Sequence, residues 1–261
     1  MNEIIKKTEG NMEKYSKHIY LPVSLNELGQ RANNEDSIYP EIATLNDRLF
    51  IVCDGVGGHS KGEVASALVC ENFAQFIKQN NQDAISKNFF ESGLRYVETK
   101  MEDYVNNDSG CSKMATTLTL LYFSEDYKLA YLIWVGDSRI YHIRDGKVLF
   151  QTKDHSEVQS LIDMGEITEQ EALNHPRRNV ITRAISGSSN PTRIDYKQID
   201  EIHSNDFFLL CTDGILENLN EDKIEKCFNV ESDPQEIKEK IIAHSYKNTR
   251  DNYSMYLIKT K

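Results

Sequence analysis

The sequence predicts a mixed α+β fold in which helices pack outside β-sheets, and two patterns along the chain predict it. Short apolar runs that end at an acidic residue recur, which is typical of buried strands followed by turns. Between them lie longer segments whose apolar residues are spaced three and four apart, which indicates amphipathic helices. Strands and helices do not alternate regularly, so repeated βαβ units are not expected.

Three of the apolar runs end directly at an aspartate, and they cover residues 48–54, 131–137 and 207–213. A fourth segment reverses this order, because Asp251 precedes the apolar residues 253–258. If that last strand runs antiparallel to its neighbours, its start lies on the same rim of the sheets as their ends. The sequence therefore predicts that Asp54, Asp213 and Asp251 meet in space.

Turn and capping residues delimit the remaining elements. Asp145 and Gly146 separate two strand-like runs, residues 139–143 and 147–151, which is a strong hairpin signal. Apolar stripes predict helices over residues 61–79 and 90–104. Another helix is predicted from Asp233, as N-cap, followed by Pro234.

Two further short helices are predicted in residues 154–190. Thr168 and Glu171 have the spacing of a capping box, which marks the start of one of them. Gly165 suits the end of the helix before it. The arginines of this segment, Arg177, Arg178 and Arg183, could meet an anionic substrate or form a solvated basic face.

Composition and charge narrow the function classes. The 30 Lys and Arg residues against 41 Asp and Glu residues give a net charge of -11, so nucleic-acid binding is not expected. The five cysteines are odd in number and contain no CxxC pair, which argues against a disulfide framework or a zinc-thiolate site. Neither a signal peptide nor a membrane span is recognisable. We expect a cytoplasmic monomer that does not bind membranes.

The chain shows no composition shift that would mark a boundary between domains. Its residues 1–20 are rich in Lys, Glu and Asn and are predicted to form a loosely held N-terminal extension. Residues 21–261 are predicted to form a single domain.

Carboxylates at strand ends are suited to a binuclear site for hard divalent cations, which prefer oxygen ligands. A single aspartate after a strand is more often a turn former, so the prediction of a metal site depends on several of them together. Further motifs accompany these aspartates. They are residues 29–36 (GQRANNED), 54–59 (DGVGGH), 114–117 (MATT), 136–139 (GDSR), 175–179 (HPRRN) with Thr182-Arg183, 211–214 (CTDG), and Asp251-Asn252.

In this order the motifs resemble those of the PP2C (PPM) family of metal-dependent protein Ser/Thr phosphatases, in its compact bacterial form, over about residues 23–258. The resemblance implies a four-layer αββα sandwich, with two central mostly antiparallel β-sheets flanked by helices and the metals at one rim. Residues 154–190 then include the flap beside the active site.

The resemblance also implies roles for individual residues. Asp54 would bridge two Mn²⁺ or Mg²⁺ ions, and Arg31 would grip the phosphate. The other expected metal ligands are Glu35, Asp36, the Gly55 carbonyl, Asp213 and Asp251, with Asp137 as ligand of a third, weakly bound ion. Animal-type relatives carry a histidine where this chain has Val56, so no general acid is assigned. His59, His155 and His175 are interpreted as hydrogen-bonding loop residues.

The function implied by the resemblance is hydrolysis of phospho-Ser and phospho-Thr on proteins by a metal-bridged hydroxide. The expected partners are phosphorylated proteins, including a Ser/Thr kinase, and the enzyme would oppose bacterial Hanks-type kinases. Two alternatives stay open. One is a pseudophosphatase that binds phosphoproteins without turnover, although its usual sign, the loss of metal carboxylates, is absent. The other is a switch phosphatase dedicated to one phosphoprotein.

Overall fold

The computed structural model of the chain describes residues 18–56, 61–80, 85–107, 114–187, 191–217, 219–228, 232–245 and 249–261. Most of the predicted N-terminal extension lies outside these residues, as do His59 and Cys111. Of the described part of that extension, Ile19 is fully buried and forms an isolated β-bridge with Thr260. Residues 18–20 therefore pack against the domain.

Thirteen strands are present among the described residues, in three sheets. They are β1 (Val23–Glu27), β2 (Ser37–Tyr39), β3 (Leu49–Cys53), β4 (Gly55–Val56), β5 (Ala115–Thr116), β6 (Leu118–Phe123), β7 (Ala130–Val135), β8 (Arg139–Arg144), β9 (Lys147–Gln151), β10 (Ile185–Ser186), β11 (Asp195–Ile199), β12 (Phe207–Cys211) and β13 (Tyr253–Lys259). The two larger sheets have the orders β1-β13-β12-β8-β9 and β11-β7-β6-β3-β2. A small third sheet has the order β10-β5-β4.

The described residues form seven helices, which we number in chain order. They are α1 (Gly62–Gln79), α2 (Lys87–Asn107), α3 (Glu157–Asp163), α4 (Glu169–Ala172), α5 (Asp213–Leu216), α6 (Glu221–Cys227) and α7 (Pro234–Ser245). None of them combines the length and the apolar character that a membrane crossing needs.

The side chains of β3 show how the layers are built, because successive residues of a strand point to opposite faces of the sheet. Phe50 and Val52 face the interior between the two large sheets, where they meet Phe208 of the other sheet. Leu49 and Ile51 face the opposite way and pack in the cluster formed with α1 and α2. All five residues of β3 are buried, as a strand covered on both faces requires.

A second helical layer covers the outer face of the other large sheet. Leu209 and Leu257 of that sheet pack with Ile224 of α6 and with Ile237 and Ile241 of α7. The order of layers is therefore helices, sheet, sheet, helices. This confirms the predicted α+β fold, the αββα sandwich with two antiparallel sheets. The small sheet of two-residue strands was not predicted.

The capping and turn predictions are confirmed. Thr168 and Glu171 form a capping box at the start of α4. Gly165, with φ of 75°, follows α3, and its N–H donates to the Ile162 carbonyl. The Asp233 carboxylate accepts a 2.8 Å hydrogen bond from Gln235 N–H at the start of α7. Asp145 and Gly146 join β8 to β9.

The strand ends that matter for the site lie on one rim. Strand β13 pairs antiparallel with β12, and Met255 lies opposite Cys211. The start of β13 therefore lies beside the end of β12, which is the reversal that the sequence predicts. The close contact between the two segments is visible at Gly214, where an added Cβ would stand 1.9 Å from the Asn252 carbonyl oxygen.

Candidate metal centre

The backbone of Asp54 is held from both sides where β3 ends. Its N–H donates a 2.9 Å hydrogen bond to Thr117 Oγ1, and its carbonyl accepts from the Thr117 N–H at 2.8 Å and from Thr116 Oγ1 at 2.7 Å. Thr116 and Thr117 are fully buried. These bonds fix the Asp54 backbone at the rim, and with it the point from which the carboxylate extends.

Asp213 follows β12 and begins α5. Its carboxyl group lies close enough to that of Asp54 to help raise the Asp54 pKa. One oxygen of Asp213, Oδ1, is buried and accepts no hydrogen bond from any described residue. A buried carboxylate oxygen without a donor is expensive unless a cation or water faces it.

Asp251 precedes β13 and lies beside Arg31. Its Oδ2 accepts a 2.7 Å hydrogen bond from Arg31 Nη2, and its Oδ1 accepts from the Asn252 N–H at 2.8 Å. The approach depends on Gly29, whose φ is 61° and where a Cβ would stand 1.9 Å from the Asp251 carbonyl oxygen. The loop that carries Arg31 is thus pressed against the start of β13.

Asn252 holds the loop that presents the acidic pair Glu35 and Asp36. Its Oδ1 accepts from the Glu35 N–H at 2.9 Å, and its Nδ2 donates to the carbonyls of Leu28 at 2.7 Å and Asn33 at 3.0 Å. In the sequence Asn252 is recognisable only as a motif residue. No local pattern predicts that it holds the Glu35 loop, because the contacts span more than 200 positions.

The two members of the acidic pair have different surroundings. Asp36 is 6% exposed, and its Oδ2 accepts a 3.0 Å hydrogen bond from Thr212 Oγ1. Glu35 is less buried, and its pKa is raised by burial and by the nearby Glu63. The Glu35 carbonyl accepts hydrogen bonds from the Gly55 N–H at 3.0 Å and from Ser66 Oγ at 2.6 Å. The pair therefore links the rim to α1.

Asp137 is the remaining predicted ligand and lies in the loop between β7 and β8. Its neighbours Gly136 and Ser138 contact Thr117, since Ser138 Oγ and Thr117 Oγ1 lie 2.7 Å apart and an added Cβ on Gly136 would stand 2.6 Å from Thr117 Cγ2. Thr117 thus contacts the segments that carry both Asp54 and Asp137.

The carboxyl groups of this cluster resist full ionisation. Burial, followed by repulsion from Asp36, Asp213, Asp137 and Asp251, holds the pKa of Asp54 well above its usual range. Burial is also the main cause that raises the pKa of Asp36 to about 7, of Asp137 to about 7 and of Asp213 to about 6. Several neighbouring carboxylates can all be charged at neutral pH only if cations balance them.

The donor set fits hard divalent cations, because it consists of carboxylate oxygens with one of them, Asp213 Oδ1, lacking a donor. Among the described residues, no three His, Cys, Asp or Glu side chains yet form a group that could hold a metal ion as they stand. The cluster is a set of neighbouring carboxylates. Two of them already accept hydrogen bonds, Asp251 from Arg31 and Asp36 from Thr212. Cation binding would therefore require these carboxylates to rearrange.

Of the three histidines interpreted from the sequence as loop residues, His155 and His175 are hydrogen-bonding loop residues, and His59 lies outside the described residues. The His155 Nδ1 accepts a 2.9 Å hydrogen bond from the Gly136 N–H, and burial lowers the His155 pKa. The His175 Nδ1 accepts from the Arg177 N–H at 3.3 Å. Arg177 forms an ion pair with Glu157, while Arg183 forms one with Asp195.

Thr117 is a residue whose role sequence reasoning missed, and it gives a first testable prediction. Replacing Thr117 by Val keeps the shape but removes the oxygen that accepts the buried Asp54 N–H. We expect a loss of about 1–3 kcal/mol in the free energy of unfolding, since a buried donor is left unpaired. We also expect Mn²⁺ affinity to fall by about 10–100-fold, the usual effect of losing a group that orients a ligand.

Thr119→Val is the matched control for this prediction. Thr119 is also fully buried, and its Oγ1 donates to the Val52 carbonyl at 2.8 Å. That bond lies within the sheet and does not reach Asp54. Urea unfolding and Mn²⁺ titration of both variants separate the two effects, and equal Mn²⁺ affinity in both variants would contradict the role given to Thr117.

Comparison with known proteins identifies the family. A sequence model described as protein phosphatase 2C matches residues 27–240. Because this match covers well over half of the chain, the chain belongs to the protein phosphatase 2C family.

Individual relatives agree with this. The chain is 36% identical to the serine/threonine protein phosphatase PstP of Mycobacterium tuberculosis over 195 residues, which are 74% of this chain and 36% of PstP. The chain thus spans about a third of the length of that relative. It is 29% identical to the serine/threonine phosphatase stp of Listeria welshimeri over 234 residues, which are 87% of this chain and 90% of that protein.

Solved structures share the fold. The crystal structure of the Mycobacterium tuberculosis phosphatase PstP/Ppp matches with a TM-score of 0.81 and 30% identity, covering 93% of this chain and 98% of that one. A structure of the PstP catalytic domain in complex with two manganese ions matches with a TM-score of 0.78 and 29% identity, over 94% of this chain and 99% of that one.

Proposed function

We propose that this chain is a metal-dependent phosphoprotein phosphatase that hydrolyses phospho-Ser and phospho-Thr. The observation that carries the proposal is the cluster of partly or fully buried carboxyl groups around Asp54, whose pKa values are raised by burial and mutual repulsion and in which Asp213 Oδ1 lacks a donor. Such a cluster is costly in a protein without cations and useful in one that binds them. Membership in the protein phosphatase 2C family and the manganese-bound relative support the same conclusion.

The proposed ligands are those that the family resemblance implies, and the raised pKa values of the neighbouring carboxyl groups support them. Asp54 is near enough to Asp36, Asp137, Asp213 and Asp251 for their charges to raise its pKa, and it is the candidate for contact with two Mn²⁺ or Mg²⁺ ions. The remaining ligands in the proposal are Glu35, Asp36, the Gly55 carbonyl, Asp213 and Asp251, with Asp137 serving a third, weaker ion. When bound, the cations supply a water of lowered pKa and neutralise charge on the phosphate.

Arg31 is the proposed phosphate-binding residue. Half of its side chain is exposed, and one of its nitrogens is hydrogen bonded to Asp251. A guanidinium carries several N–H donors in one plane, so the group can hold phosphate oxygens with the donors that Asp251 does not use. The ion pair keeps Arg31 at the edge of the carboxylate cluster. The proton donor to the leaving group is not assigned, because Val56 stands where a histidine would be needed.

The proposed substrates are phosphorylated proteins, including a Ser/Thr kinase, and the proposed setting is the cytoplasm, with the chain acting as a monomer. The arginines of residues 154–190 support an anionic substrate. Arg178 is exposed, and its side chain donates to a backbone carbonyl, that of Leu173, and to no acidic side chain among the contacts described. The pseudophosphatase alternative is not favoured, because every proposed ligand position keeps its acidic side chain.

The test is hydrolysis of phospho-Ser, phospho-Thr and phospho-Tyr peptides with Mn²⁺, with Mg²⁺ and with a chelator. We expect turnover of phospho-Ser and phospho-Thr peptides in Mn²⁺, its loss in chelator and its recovery when excess Mn²⁺ is added. Turnover that persists in chelator, or none in excess Mn²⁺, would refute the proposal.

A further inference from the structure

The loop that carries Asp137 is held by one histidine from outside it. The His155 N–H donates a 2.8 Å hydrogen bond to the Gly136 carbonyl, and the Gly136 N–H donates a 2.9 Å hydrogen bond to His155 Nδ1. Both polar backbone groups of Gly136, the residue directly before Asp137, are therefore bonded to the same residue. His155 is 8% exposed, so water competes little for these bonds.

Gly136 has little freedom to move away from this contact. Its φ is 100°, a conformation that favours glycine, and an added Cβ would stand 2.6 Å from the Thr117 side chain. Thr117 thus closes one side of the loop and His155 closes the other. Arg139, which follows the loop, pairs with Asp154 through two hydrogen bonds of 2.7 and 2.8 Å.

The Gly136 contact decides which nitrogen of the His155 ring accepts a hydrogen bond. Nε2 lies 3.2 Å from Asp195 Oδ2 and 3.0 Å from Arg183 Nη1, and Arg183 Nη1 also donates a 3.1 Å hydrogen bond to Asp195 Oδ1. Because Nδ1 accepts from Gly136, the neutral ring carries its proton on Nε2, which donates to Asp195. Arg183, which can only donate, then gives its hydrogen bond to Asp195 Oδ1 and not to Nε2. A carboxylate that holds one ring nitrogen in this way orients the other.

His155 also closes the base of the flap segment, which we define as residues 156–181 and which contains α3 and α4. Its carbonyl accepts from the Thr182 N–H at 2.8 Å, and Ser156 and Ile181 form a β-bridge directly beside it. The two ends of the flap segment therefore meet at the residue that holds Gly136.

We propose that His155 is a positioning residue, which couples the flap segment to Asp137 through Gly136 and thereby sets the affinity of the cation that Asp137 holds. This inference rests on the proposed function only for the statement that Asp137 binds a cation. It assigns to His155 a role that requires the acceptor at Nδ1, and not merely a buried polar ring.

Two conservative variants separate that acceptor from the rest of the side chain. In His155→Asn the amide oxygen can take the place of Nδ1 and accept from Gly136, whereas in His155→Gln the amide reaches the place of Nε2 and contacts Asp195. His175→Gln is the matched control, because His175 lies in the same flap segment and accepts from Arg177 instead of Gly136.

Two quantities are measured. Mn²⁺ binding is titrated by the electron paramagnetic resonance signal of free Mn²⁺, and the hydrogen exchange rate of the Gly136 N–H is measured in the metal-free protein. We expect His155→Gln to weaken the weakest bound Mn²⁺ by about 10–100-fold, the usual cost of losing an orienting partner, and to speed Gly136 exchange. The Mn²⁺ affinity of the tighter sites should not change in His155→Gln. The variants His155→Asn and His175→Gln should keep Mn²⁺ affinities and Gly136 exchange rates near those of the wild type.

Two results would overturn the inference while leaving the proposed function standing. One is a folded His155→Gln variant with wild-type affinity at the weakest site. The other is a His155→Asn variant as impaired as His155→Gln, since the Nδ1 acceptor would then not be the cause. Failure of the wild-type protein to bind Mn²⁺ at all would instead overturn the proposed function.

Discussion

Asp54→Asn is expected to reduce turnover of phospho-Ser and phospho-Thr peptides by at least about 10³-fold, the scale of losing a central electrostatic group. Asp54 is the carboxyl group whose pKa the charges of four other aspartates raise. An amide cannot supply the negative charge or the second anionic oxygen that two cations require. The measurement is the steady-state turnover number in saturating Mn²⁺.

The same variant should be more stable than the wild type when metal is removed. Burial and repulsion from neighbouring aspartates raise the Asp54 pKa, which means that its charge opposes folding. Replacing it by a neutral amide removes that cost. The midpoint of thermal unfolding in chelator at pH 7 should therefore rise, while turnover is lost.

Asp145→Asn is the matched control for both effects. Asp145 also follows a strand, but it lies in the hairpin turn between β8 and β9 with φ of 52°, a conformation that Asn accepts readily. Turnover and metal-free stability should stay near wild type. A folded Asp54→Asn variant that keeps turnover would show that the central role given to Asp54 is wrong.

We also expect a large effect of pH on the free energy of unfolding, in opposite directions with and without bound metal. In the metal-free protein, Asp36 and Asp137 have pKa values of about 7 and Asp213 about 6. In the unfolded chain an aspartate titrates near 3.9, so from about pH 4 to pH 7 the folded state binds more protons than the unfolded state. The free energy of unfolding therefore falls as pH rises through this window.

Bound Mn²⁺ reverses this trend, because the ligands must lose their protons before they coordinate it. At a hundredfold excess over Kd, each site adds about 2.7 kcal/mol to the free energy of unfolding. The rise in thermal midpoint caused by Mn²⁺ should thus be larger at pH 8 than at pH 5.5. Thermal unfolding scans at both values, with Mn²⁺ or chelator, measure it.

A variant at Asp36 isolates the contribution of the site from that of other titrating groups. Asp36→Asn removes one of the raised carboxyl groups, so the fall in metal-free stability between pH 4 and pH 7 should become shallower. An equally steep fall in this variant would show that the pH dependence arises elsewhere in the chain.

The parts of the fold that the sequence predicts are those with a local signal. Strand β3 is a continuous apolar run, and the two residues Asp145 and Gly146 are sufficient to predict the hairpin turn. The small sheet could not be predicted, because its strands contain only two residues each and show no periodicity. Its pairing of Gly55 with Thr116 follows from tertiary contact alone.

The carboxylates of the site could be predicted from the sequence, but the hydrogen bonds and ion pairs that hold them could not. The strand-end pattern identifies Asp54, Asp213 and Asp251 because antiparallel pairing places a strand start beside a strand end. It does not reveal that Arg31 pairs with Asp251, 220 positions away, or that Thr117 holds the Asp54 backbone. Those partners are chosen by loop packing, which leaves no periodic trace in the sequence.

The central claim is that Asp54 joins two cations at one rim of the sandwich, and the spectrum of bound Mn²⁺ tests it most directly. With two equivalents of Mn²⁺ the protein should give the electron paramagnetic resonance signal of a coupled pair, as expected for ions about 3.5–4 Å apart. Asp54→Asn should abolish that coupling. Two isolated Mn²⁺ signals in the wild-type protein, or a coupled pair that survives in Asp54→Asn, would contradict the account.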